Sequence, residues 1–91
     1  MKKKKIILNE DEQYHLFRQS PSSKHDGGFQ SLLVSIQETF NPTDNSVTIT
    51  DEVEERIRRY YGKYKTGGYQ SRLRRIFGRT LLKVSNKVPA V

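Results

Sequence analysis

The chain has 91 residues, of which 33% are hydrophobic and 30% charged. That length has room for one modest core, burying roughly 60–65% of the surface its unfolded form exposes. Without cysteine it has no disulfides and no thiolate chemistry, and a net charge of +7 favours a polyanionic partner. The charge is uneven: residues 1–8 carry +4, residues 9–50 carry −4, residues 51–66 carry +1 and residues 67–91 carry +6.

The opening run Met1-Lys2-Lys3-Lys4-Lys5-Ile6-Ile7-Leu8 has the basic start of a signal peptide. Its apolar part ends after three residues at Asn9, against about 7–15 for a signal core. A cytoplasmic chain with no membrane segment is therefore expected. Residues 4–8 alternate as a short strand, with Ile6 and Leu8 on one face. Asn9 followed by Glu12 has the spacing of a capping box, and Glu10 and Asp11 suit the positive end of a helix. A helix is expected from about 10 to 19, burying Tyr14, Leu16 and Phe17. Residues 20–26 read as loop. In the second helix Phe29, Leu32, Leu33, Ile36 and Phe40 recur at helical spacing, and Asn41-Pro42 ends it.

The pattern then restarts. Ser46-Val47-Thr48-Ile49-Thr50 alternates as a half-buried strand, and Thr50 can cap a helix that opens with Asp51 and Glu52. Val53, Ile57, Tyr60, Tyr61 and Tyr64 form its apolar stripe. After Gly67-Gly68 a fourth helix carries Tyr69, Leu73, Ile76, Phe77 and Leu81. Residues 85–91, with Pro89, read as a flexible tail.

Gly27-Gly28-Phe29-Gln30-Ser31 is echoed by Gly67-Gly68-Tyr69-Gln70-Ser71 at an offset of 40. Ile6, Leu8 and Leu16 match Val47, Ile49 and Ile57 at an offset of 41. Strand, cap and glycine joint thus recur in the same order. The expected fold is α+β: one compact domain over residues 1–84, made of two strand–helix–helix repeats (3–41 and 46–82). A single unit cannot close its own core. Two can pair their strands as a two-stranded antiparallel ribbon packed on four helices. Ile6, Leu8, Val47 and Ile49 then point inward, and Lys3, Lys5, Ile7, Ser46, Thr48 and Thr50 point outward.

This order of elements resembles the ribbon-helix-helix DNA-binding proteins, with two halves fused in one chain. The resemblance spans about residues 3–82. It implies a ribbon lying in the DNA major groove, with Lys3, Lys5 and Thr48 as its readers. It also implies phosphate clamps at the amino ends of the second helix of each unit, near Gly28–Gln30 and Gly67, Gly68 and Gln70.

The second half differs from the first mainly by gaining arginines: Arg72, Arg74 and Arg75 replace Leu32, Val34 and Ser35. On a helical wheel Arg72, Arg75 and Arg79 form one ridge, with no acid within reach along the helix. Arg56, Arg59 and Lys63 form another, with Glu52 and Glu55 four residues before the two arginines. Six cations beside Tyr60, Tyr61, Tyr64 and Tyr69 make a phosphate track, although aromatics at this spacing serve the core.

Enzymatic readings find little support. Gly62 to Gly67 has the glycine spacing of a phosphate-binding loop, but Gly68-Tyr69 stands where Lys-Ser/Thr is required. His15 and His25 are isolated and read as solvated. No catalytic residue, metal site or cofactor is expected. The expected function is a small basic nucleic-acid-binding module, with DNA favoured over RNA and no small-molecule substrate. The alternative is a protein–protein adaptor or inhibitor, and the small core leaves homodimerisation open.

Overall fold

A computed structural model describes residues 2–63 and 68–84, with only the backbone of Lys63. Gly67, Tyr64, the Lys63 side chain and the expected tail at 85–91 lie outside the described residues. Two strands and four helices follow in the order β1 (Lys3–Ile7), α1 (Glu10–Phe17), α2 (Gly28–Gln37), β2 (Ser46–Thr50), α3 (Asp51–Lys63) and α4 (Gly68–Phe77). A short 3₁₀ turn, Pro21–Ser23, interrupts the connection expected to be plain loop. The fold class is α+β.

The strands pair antiparallel, with Lys3 opposite Thr50, Lys5 opposite Thr48, Ile6 opposite Val47 and Ile7 opposite Ser46. Ile6, Leu8, Val47 and Ile49 are buried, as their alternation requires. Ser46 departs from the expected outward face. It is buried, and its hydroxyl donates to the Asp44 carboxylate at 2.6 Å. Asn45 makes the turn before it at φ 59°, a left-handed conformation that asparagine tolerates, and its carbonyl accepts from the Leu8 N–H.

Both strand-to-helix junctions carry their caps. The Asn9 side chain accepts from the Glu12 N–H at 2.8 Å while Glu12 accepts from the Asn9 N–H at 2.9 Å, completing the capping box. The Thr50 hydroxyl accepts from the Val53 N–H at 3.2 Å. Each satisfies a helix-end donor that would otherwise go unpaired.

The core is one cluster drawn from both halves of the chain. Phe29, Leu32, Leu33 and Ile36 enter it from α2, Ile57 from α3, and Leu73, Ile76 and Phe77 from α4. Tyr60, Tyr61 and Tyr69 pack against it half-buried. α1 corrects the sequence reading most. It is shorter than expected and buries Leu16, Glu12 and His15, leaving Tyr14 63% and Phe17 45% exposed. His15, expected to be solvated, is 9% exposed. α2 likewise ends at Gln37, where the Gln37 side chain crosses to donate to the Leu16 and Gln19 carbonyls at 3.0 and 2.7 Å.

Candidate nucleic-acid interface

The ribbon offers one covered and one open face. On the open face Lys3, Lys5 and Ile7 are exposed, and Thr48 and Thr50 are half-buried. Lys5 is paired with Asp44. Lys3 has no ion pair among the described residues. Thr48 is also held by its backbone, whose N–H donates to the Thr39 hydroxyl at 3.0 Å. The opposite strand edge is held where Arg79 donates to the Ile7 carbonyl at 2.9 Å.

The two arginine ridges separate into engaged and open members. Arg59 pairs with Glu55 at 3.0 Å, four residues away as expected. Arg56 does not use Glu52 and donates instead to the Gly28 carbonyl at 3.2 Å. α4 ends at Phe77, short of the expected ridge, and Arg79 in the turn beyond it meets an acid from another helix: it holds both oxygens of buried Glu12, at 3.0 and 2.8 Å. The Glu12 hydrogen bond and charge raise the Arg79 guanidinium pKa. The expectation that no acid lies in reach holds only along α4 itself, because helix packing supplies one.

Arg72 is half-buried. Its guanidinium donates to the Gln19 amide oxygen at 2.7 Å and lies 5.7 Å from the centre of the Phe29 ring. Burial, and after it the charge of nearby Arg18, lowers its pKa; it remains a cation at neutral pH. Arg75 is exposed, with no ion pair among the described residues. Gly68 opens α4 on the surface, and Gln70 is half-buried beside it.

The helix mouths at Gly28 and Gly68 meet through their aromatic rings. Phe29 stacks on Tyr69 with centroids 4.0 Å apart, and Tyr60 meets both rings edge-on. They are not equivalent in their need for glycine. A methyl group on Gly28 would collide with the Tyr60 hydroxyl, whereas one on Gly68 meets open space.

Sequence reasoning overlooked Arg18 and a second cationic surface. Arg18 caps α1 and approaches Arg72 only through the packing of α1 on α4. Beside β1 lies an open cleft of about 660 Å³ whose lining includes Lys4, Lys5, Arg58, Thr80 and Lys83. At its margin Lys4 and Arg58 share Glu54, at 2.8 and 2.9 Å. The four-residue step from Glu54 to Arg58 was the one sequence signal for it.

Among the described residues no cluster of three or more His, Cys, Asp or Glu could hold a metal ion. No helix among them is long and apolar enough to cross a membrane. Comparison of this chain with protein-family models, with curated proteins and with solved structures finds no match.

Proposed function

We propose that this chain is a tandem duplication of a strand–helix–helix unit that binds nucleic acid, DNA by preference, chiefly through phosphates, with its ribbon as the contact surface. Support for the duplication comes from contacts between residues that the offsets of 40 and 41 make equivalent. Ile6 faces its equivalent Val47, and Phe29 stacks on its equivalent Tyr69. Thr39 holds the backbone of Thr48, and Arg79, forty residues on, holds that of Ile7, the equivalent of Thr48. The turn that follows each second helix therefore holds the strand of the other proposed unit, in keeping with a two-fold relation.

One observation carries the functional reading. The uncovered ribbon face pairs Lys3 with Thr50 and Lys5 with Thr48. A two-stranded ribbon fits the major groove, and these side chains offer cations for phosphates and hydroxyls for base edges. The Lys5 and Arg59 side chains are themselves exposed in their ion pairs with Asp44 and Glu55, so phosphate can compete for both cations.

Fluorescence anisotropy on a mixed-sequence duplex tests this. With about six phosphates neutralised, log K falls against log salt with a slope of about −5. Lys3→Glu with Lys5→Glu weakens binding at low salt, and structured RNA competes poorly. A flat salt response overturns the proposal. The second reading, a protein–protein adaptor or inhibitor, is favoured by the exposed aromatic side chains of α1. No anisotropy change at low salt, with no retention on heparin, selects it.

A further inference from the structure

The outer stripe of α1 has no role in the ribbon. It consists of Glu10, Asp11, Tyr14, Phe17 and Arg18, all exposed. Together with Ile7, its two aromatics are the large hydrophobics left open among the described residues. The stripe is symmetric about Tyr14: Asp11 and Phe17 stand three residues to either side, Glu10 and Arg18 four. Charge is reversed across that centre, with acid at the amino end and arginine at the carboxyl end, each matched to its pole of the helix dipole.

We infer that this stripe is a self-association face on which a second copy of the chain docks with its α1 antiparallel. In a two-fold contact centred on Tyr14, residue i meets residue 28 − i. Tyr14 meets Tyr14, Phe17 meets Asp11 and its neighbours, and Glu10 meets Arg18 twice, once on each side. Glu10 and Arg18 lie about 12 Å apart along the helix, so both pairs form together around the aromatic centre. A parallel contact would set like charges against each other, so the stripe specifies orientation as well as partner. Arg18 lies 5.8 Å from the centre of its own Tyr14 ring, which already holds the cation beside the stripe. One short helix gives a small interface, and small interfaces are weak and exchange readily. The inference is independent of nucleic acid, because no ribbon residue takes part.

Sedimentation velocity over a concentration series at low salt tests it. The wild-type mass rises towards two chains with concentration. Arg18→Glu alone and Glu10→Arg alone each remain at one chain, with wild-type circular dichroism. Mixing these two variants restores the two-chain species, because each Glu then meets an Arg across the contact. Tyr14→Ala also stays at one chain. A wild-type protein of one-chain mass at all concentrations overturns the inference. So does a dimer indifferent to the charge reversals, or a mixture that fails to associate.

Discussion

The Phe29 ring lies on the Tyr69 ring with centroids 4.0 Å apart and planes 14° from parallel. This contact joins the mouths of α2 and α4, and Phe29 is 1% exposed beneath it. Removing a buried phenyl ring loses its transfer free energy and leaves a cavity. Phe29→Ala should therefore cost about 3–5 kcal/mol in urea unfolding. A loss below about 1 kcal/mol would contradict a stacked joint at the centre of the core.

Gly28 and Gly68 should respond oppositely to the same substitution. Gly28→Ala forces a methyl group onto the Tyr60 hydroxyl and should destabilise by about 1–3 kcal/mol through overpacking. Gly68→Ala meets open space at the start of a helix, where alanine is the better helix former by up to about 1 kcal/mol. Thermal unfolding of the two variants decides this, and equal effects would contradict the distinction.

Arg75 on α4 and Arg79 in the turn just beyond it should differ sharply. Arg79→Ala strands the buried Glu12 carboxylate and should cost about 2–3 kcal/mol. Arg75→Ala should stay within about 0.5 kcal/mol, as an exposed substitution does. Denaturant midpoints measure both. For the same reason a nucleic-acid test that reverses Arg79 would confuse binding with folding, and Arg75→Glu is the cleaner probe.

These contrasts mark what the sequence could convey. Strands, caps and buried stripes depend on local spacing, so the alternation at Ile6 and Leu8, the Asn9–Glu12 box and the α2 stripe were all legible. The roles of Arg79, Arg72 and Glu12 depend on how α4 packs against α1, and no local pattern encodes that packing. Tyr14 and Phe17 misled because hydrophobicity predicts burial only where a neighbouring element covers the residue, and the edge-on contact of Phe40 with Phe17 still leaves Phe17 45% exposed. In α1 the covered face instead holds Leu16 with His15 and the capping glutamate. Ser46 is buried because the turn folds Asp44 back onto its hydroxyl.

Acid should weaken the fold through two carboxylates. Lys4, then Arg58, holds the Glu54 carboxyl below the usual carboxylate range. Lys5, then Ser46, does the same for Asp44. A depressed folded-state pKa contributes stability that is complete above the unfolded value and lost as pH falls through the folded one. Melting temperature should therefore decline below about pH 4. Glu54→Gln should flatten part of that decline, and an unchanged profile would count against these pairs.

The most direct test of the ribbon as a contact surface is an amide chemical-shift titration of the labelled protein with a short DNA duplex. The largest shifts should fall on Lys3, Lys5, Thr48 and Thr50, with a smaller set at Arg72 and Arg75, and added salt should reverse them. Shifts confined to α1 and the turns, or none at low salt, would contradict it.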